Sequence, residues 1–325
     1  ISTSPGVRRT ESTGGGNFVN HDDRMARIVA SGARMAKVRS AADVVARLED
    51  GMTIGIGGWG PRRKPMALVR EILRSGLRDL TLVSYGGADV GMLCAAGRVR
   101  KLVFAFVSLD FIPLEPYFRQ VRQAGELEVM ELDEGMLLLG LRAAAWGLPF
   151  IPTEVGLGTD IVTRNPTLKV IDSPYDDREW VAMPALKLDA ALIHVDRADA
   201  RGVCQIAGPD HYMDDWYARA ARQTFVSCDE LVDTDYFRDP AQARLVFWER
   251  AATTGVVPIP GGAHPSSCNP LYGFDVAHFQ AYAASAGEEG GIDAYLERYL
   301  GASEEEYRHN VGGLDAIRAL PLPIY

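Results

Sequence analysis

A chain of 325 residues, 47% of them hydrophobic, can bury one large core or two modest ones. Its 43 acidic and 34 basic residues give a net charge of −9, the opposite of the basic footprint a nucleic-acid binder needs. No apolar run approaches the roughly 18 residues of a membrane span, and the first thirty residues hold no continuous apolar block of the signal-peptide kind. No membrane association and a cytoplasmic location are therefore expected. Cys94, Cys204, Cys228 and Cys268 are far apart and lack metal spacing, so they read as reduced, mostly buried thiols. The six histidines are equally scattered, and no metal is expected.

In chain order, residues 1–36 are rich in Ser, Thr, Gly and Arg up to Asn20 and show no helical or strand period. They are expected to be a flexible extension preceding a single domain, 37–325. Ser40 can cap a helix with Val44, Val45 and Leu48 on its apolar face, closed by Asp50-Gly51. A strand at Met52–Gly57 then enters the glycine-rich turn Gly57-Gly58-Trp59-Gly60. A helix over Pro65–Leu73 starts with proline, where a missing N–H costs nothing. A strand over Leu80–Ser84 ends in Tyr85-Gly86-Gly87, and a short helix carries Val90, Leu93 and Cys94. Val99–Val107 is a continuous apolar strand of the kind buried on both faces. Helices are expected near Glu115–Ala124 and over Glu134–Trp146, then strands at Leu168–Ile171, Trp180–Met183 and Ala190–Val195. A helix at Asp214–Arg222, strands at Thr224–Cys228 and Thr254–Pro258, and terminal helices complete the pattern. Alternating strands and helices in the first half imply parallel pairing. The expected fold is α/β, a three-layer α/β/α sandwich whose largely parallel sheet becomes partly mixed.

The segment Gly55-Ile56-Gly57-Gly58-Trp59-Gly60 matches G-x-G-x-x-G, but a dinucleotide site requires that motif to open a helix directly. Here Pro61-Arg62-Arg63-Lys64-Pro65 intervenes, and the next strand ends in Ser84-Tyr85 without a ribose-binding acid. A P-loop is excluded by the lack of Gly-Lys-Ser/Thr. Two readings stay open: a tight turn without a ligand, or glycines that let backbone N–H groups approach a carbonyl and stabilise an oxyanion.

The run from Asp50 to Trp59, followed by Pro65, resembles the signature of family I coenzyme A transferases, with Trp59 in place of the usual Phe and Arg63 where Gly is common. Gly261-Gly262-Ala263-His264-Pro265 is similar to a segment of the α subunits of glutaconate-type members. The likeness covers Val38 to about Tyr307. Gly58-Trp59-Gly60, Arg62–Met66, Tyr85-Gly86-Gly87, Phe106–Asp110, Asp133–Met136 and Met183–Leu186 further resemble the α subunits of hydrolases that open the last steroid rings in bacteria. The resemblance implies a heteromer with a β subunit, of α2β2 form, acting on an acyl-CoA, with no cofactor beyond the coenzyme A of the thioester. The Ser-Glu-Asn-Gly-like motif that carries the transferase nucleophile on the β half does not occur here.

By position in that family, Glu134 is the catalytic glutamate. The residues alone permit a plainer reading, since Asp133 and Glu134 open a helix where acids are favoured by the dipole. The implied reaction is hydrolytic C–C cleavage of a cyclic β-keto acyl-CoA. Water activated by Glu134 adds to the ring ketone, and a thioester enolate leaves. Gly57 and Gly58 would meet that charge, with Trp59 beside them. Arg62, Arg63 and Lys64 would meet coenzyme A phosphates or a carboxylate, or else form a solvated basic turn. Tyr85, Gly86, Gly87 and Ser108 sit at strand ends, where ligands gather in α/β sheets, though they can equally serve to turn the chain. His211, His264 and Asp110 read as structural. The alternatives are a transferase moving coenzyme A between carboxylic acids, with its nucleophile on the partner, and a non-catalytic acyl-CoA sensor.

Overall fold

The computed structural model describes residues 36–209 and 211–323; the proposed extension, 1–36, lies almost wholly outside them. The first helix, Ala41–Val45, opens with a full capping box, Ser40 Oγ accepting from the Asp43 N–H while Asp43 accepts from the Ser40 N–H. Gly51, at φ +81°, then turns the chain into the first strand.

Strands β1 (Thr53–Trp59), β2 (Leu80–Gly86), β3 (Val99–Val107) and β4 (Glu128–Glu131) are joined by helices Met66–Arg74, Ala88–Ala95 and Pro116–Ala124. Later in the chain come β8 (Leu188–Asp199), β9 (Cys204–Gln205), β10 (Ala221–Val232) and β11 (Gly255–Pro258). They assemble in the order β11-β10-β8-β1-β2-β3-β4, every pair along this path parallel. Parallel strands need both faces covered, and β2 is buried at all seven of its positions. One face packs against helices Met66–Arg74, Ala88–Ala95 and Pro116–Ala124, together with Phe279, Tyr282 and Tyr295 of the C-terminal helices. The other packs against helices Glu134–Ala145 and Asp214–Ala220 through Met136, Leu137, Leu141, Tyr217 and Ala218. The expected three-layer α/β/α sandwich is the observed one.

The mixing of the sheet is smaller than expected. Among the described residues β9 alone joins it antiparallel, against β8. The strands foreseen near 168–171 and 180–183 leave it instead. As β6 (Lys169–Asp172) and β7 (Glu179–Pro184) they pair with β5 (Phe150–Thr153) in a separate antiparallel sheet. The cause is local. The short link between β6 and β7 folds them into a hairpin, and the buried Val181 and Met183 of β7 join the cluster of helix Glu134–Ala145. Gly140 of that helix permits the contact: a Cβ there would lie 2.8 Å from the Met183 methyl.

A candidate active site at the carboxyl edge of the parallel sheet

The segments following β1, β2, β3 and β4 all emerge at the same edge of the sheet, the usual ligand edge of a parallel α/β fold. Three of them interlock. Gly87 approaches so closely that an added Cβ would lie 2.3 Å from the Gly60 carbonyl oxygen. The Ser108 N–H donates to the Gly86 carbonyl at 3.0 Å, while Ser108 Oγ accepts from the Asp110 N–H at 3.0 Å. Gly86, Gly87 and Ser108 thus shape the edge by packing. Above them Trp59, Tyr85, Phe106 and Tyr212 form an aromatic cluster. The Trp59 ring is 4.5 Å from Tyr212 and 5.6 Å from Phe106, and Tyr85 is 5.8 Å from Phe106. Trp59, Phe106 and Tyr212 are half-buried, offering a partly open apolar wall.

Glu134 is tied to this cluster through Tyr85, at the first position of the helix that follows β4. Asp133 caps that helix, its Oδ1 accepting from the Gly135 N–H at 2.8 Å. The Tyr85 hydroxyl donates to the Glu134 carbonyl oxygen at 2.6 Å. The Glu134 side chain is exposed, and no described residue hydrogen-bonds or ion-pairs its carboxylate. Partial loss of its water shell, helped by the neighbouring Asp133 charge, lifts its carboxyl above the ordinary glutamate value. A solvent-reachable carboxylate with raised proton affinity can act as a general base.

Several expected ligand contacts are corrected by the geometry. Arg63 is buried at 1% exposure, where it pairs with Asp214 and donates to the His194 carbonyl at 2.8 Å. Lys64 is wholly buried; its ammonium donates to Ser84 Oγ at 2.9 Å and lies 3.2 Å from Asp89. Neither side chain reaches a coenzyme A phosphate from there. Arg62 alone of the three stays near the surface, ion-paired with Asp110. Tyr85 is only 1% exposed, so it supports the site from beneath rather than lining it.

The N–H groups of the glycine turn are committed as well. The Gly58 N–H donates to Asp214 Oδ1 at 2.8 Å, that of Trp59 to the Arg62 carbonyl at 2.9 Å, and that of Gly60 to the Tyr85 carbonyl at 3.2 Å. An oxyanion hole made by the Gly58 N–H is therefore not present in this chain. Gly58 is required sterically: at φ +73° its Cβ would meet the Arg62 carbonyl oxygen at 2.4 Å. Gly57 leaves room for Asp214, whose Oδ1 would be 2.6 Å from a Cβ. Asp214, Phe106 and Tyr212 were not among the residues expected at the site. A buried arginine and lysine so close to a glycine turn demand carboxylate partners, but sequence does not say which.

Two other features carry no chemistry of this kind. A cavity of about 1140 Å³ opens beside the ends of β10 and β11; of the five carboxylates lining it, Glu71, Glu230 and Glu304 are each paired with an arginine and Asp229 with His194. His194, Asp229 and Cys268 hold donor atoms within 4.8 Å of one another. His194 Nε2 already lies 2.8 Å from Asp229 Oδ2, which also accepts from the Tyr272 hydroxyl. Burial lifts the Cys268 thiol well above its ordinary value, away from the thiolate that binds metals.

Residues 38–241 match the family model described as coenzyme A transferase. The chain belongs to the coenzyme A transferase family. Within it, the chain is 45% identical over 276 residues to the cholesterol ring-cleaving hydrolase IpdA subunit of Rhodococcus jostii (strain RHA1), covering 83% of this chain and 93% of that one. It is 43% identical over 282 residues to the subunit of the same name from Mycobacterium tuberculosis (strain ATCC 25618 / H37Rv), covering 83% and 96%. Among solved structures, glutaconate coenzyme A-transferase from Acidaminococcus fermentans matches with a TM-score of 0.82 at 28% identity, over 89% of this chain and 96% of that one. Coenzyme A transferase family members similar to this chain are thus named as subunits, which implies a partner chain. No helix among the described residues is long and apolar enough to cross a membrane.

Proposed function

We propose that this chain is the α subunit of a cytoplasmic α2β2 enzyme that opens a ring of a cyclic β-keto acyl-CoA by C–C hydrolysis during steroid catabolism. The observation that carries the reading is the position of Glu134, an unpaired carboxylate of raised proton affinity on a residue that Tyr85 ties to the aromatic cluster. Sequence identity of 45% to a subunit named for cholesterol ring cleavage supports the substrate class. Glu134 takes a proton from water as its oxygen bonds to the ring ketone carbon. The bond from that carbon to the thioester α-carbon then breaks, its electron pair passes into a thioester enolate, and the α-carbon takes a proton. The new carboxylate and the intact thioester remain on one opened molecule. Because the Gly58, Trp59 and Gly60 N–H groups are bonded within the chain, the enolate charge calls on other donors, and the β subunit is a natural source of them. Four free, buried cysteines suit a reducing compartment.

The test compares wild type with Glu134→Gln, each assembled with the β subunit, on a cyclic keto-acyl-CoA. Gln keeps the shape and cannot accept the proton, so turnover is expected to fall about 10²–10⁴-fold while substrate binding persists. Turnover within a few-fold of wild type would overturn the assignment. The glutaconate coenzyme A-transferase likeness favours a second reading, transfer of coenzyme A between carboxylic acids. Mass spectrometry of products from the cyclic thioester, and from acyl-CoA plus acetate, separates the two.

A further inference from the structure

Glu134 has no side-chain partner among the described residues, so its carboxylate is placed by its backbone alone. Three bonds hold that backbone turn: the Asp133 cap on the Gly135 N–H, the Leu137 N–H donating to the Asp133 carbonyl, and the Tyr85 hydroxyl on the Glu134 carbonyl. The Tyr85 bond joins two distant elements. Tyr85 works from both ends, its own carbonyl accepting from the Gly60 N–H at 3.2 Å while its hydroxyl donates to Glu134 at 2.6 Å. One residue at the end of β2 thus connects the glycine turn after β1 to the carboxylate-bearing residue after β4, across the intervening β3. Its ring is wedged between Trp59 at 6.4 Å and Phe106 at 5.8 Å, so the hydroxyl has little room to swing. Burial, together with the nearby Glu134 charge, pushes the phenol upward, and it stays a hydrogen-bond donor through the neutral range.

We infer that Tyr85 is the positioning residue of this site, setting the reach of the Glu134 carboxylate relative to the glycine turn and the aromatic wall. The inference rests on the reading of Glu134 as the base. A hydroxyl bonded elsewhere on the helix would act on the carboxylate only through the helix. This one grips the residue whose side chain does the chemistry, where a small shift in backbone is passed directly to the carboxylate.

Tyr85→Phe tests it, since it keeps the wedged ring and the carbonyl that receives the Gly60 N–H, and removes only the hydroxyl bond. In the assembled α/β enzyme, kcat is expected to fall on the order of ten- to a hundredfold, the loss typical of a misplaced catalytic group, with KM little changed. The acid limb of the kcat–pH profile is expected to move to lower pH, as the loosened Glu134 turn regains water. Thermal unfolding of the same preparation separates this from loss of folded protein, because a purely structural bond would lower the melting temperature and leave kcat per folded enzyme and the acid limb unmoved. That result, alongside an inactive Glu134→Gln enzyme, overturns the inference alone. A Glu134→Gln enzyme of normal turnover overturns the inference and the reading beneath it together.

Discussion

At the first turn of its helix Glu134 stands in opposing fields. The helix N-terminus favours a negative charge there, whereas partial desolvation and the Asp133 carboxylate both favour the proton, and the net direction is upward. As a base Glu134 works only when deprotonated, so activity is lost as pH falls through this raised value. Asp133→Asn separates the causes, because an asparagine oxygen still accepts from the Gly135 N–H while the like charge is gone. The acid limb of the kcat–pH profile is expected to shift to lower pH, with thermal stability nearly unchanged. A limb that stays in place would assign the shift to desolvation alone. The sequence placed Glu134 correctly at a helix start, because Asp133 is a good cap and a periodic apolar run follows. It could not show that Tyr85 would turn its hydroxyl toward that residue, 49 positions on.

The glycine turn after β1 is held by an element far along the chain. Helix Asp214–Ala220 supplies Asp214, which accepts from the Gly58 N–H and neutralises Arg63 in the interior. Arg63 and Lys64 read as surface residues in the sequence because their partners are not adjacent. Asp214 is 151 positions from Arg63, and Asp89 pairs with Lys64 only once β2 and its following helix are in place. Asp214→Ala removes the carboxylate that pairs with the buried Arg63 guanidinium and accepts from the Gly58 N–H, and is expected to cost about 3–5 kcal/mol in urea unfolding. An effect near zero would mean that water reaches Arg63. The same contrast runs through the other elements. β2 and β3 were legible as strands, and Val99–Val107 is found with the expected bounds, although it is not buried throughout: Arg100 is exposed at its start. β4 and β5 were not: four residues each, one bracketed by glutamates and the other containing Pro152, they lack a readable period. The glycine turn was recognised, but the sequence did not show that Gly57 makes room for Asp214 and that the Gly58 N–H donates to it.

On the scale of the whole molecule, the C-terminal helices are fastened to the helix that leaves the glycine turn. Arg70 of helix Met66–Arg74 forms a two-pronged pair with Glu304, at 2.8 and 2.7 Å, and its remaining nitrogen donates to the His264 carbonyl at 2.8 Å. Tyr307 lies beneath the guanidinium at 3.5 Å. Burial of Glu304 opposes its ionisation, but Arg70 and Arg74 outweigh it and hold the carboxyl below the ordinary value. Its stabilising contribution is therefore complete above the unfolded value of about 4.3 and is lost as pH falls through the lower folded value. Glu304→Ala, by stranding Arg70, is expected to cost about 3–5 kcal/mol at neutral pH and to expose helix Glu304–Asn310 to hydrogen exchange. Unchanged protection of that helix would show that Tyr307 and the apolar contacts hold it without the pair. The far edge of the sheet is closed by the opposite end of the chain: Val38 bridges Val256 in parallel, and Lys37 reaches the Thr253 carbonyl across 216 positions. During synthesis, the residues that will cover this edge leave the ribosome well before β11 and must wait for it before they have anything to cover. Contacts so distant in sequence form late. Until they do, β11 offers unpaired backbone groups to any neighbouring chain, so the hazard of misassembly lies with nascent chains made just past Pro258 and falls away once those residues settle onto that strand.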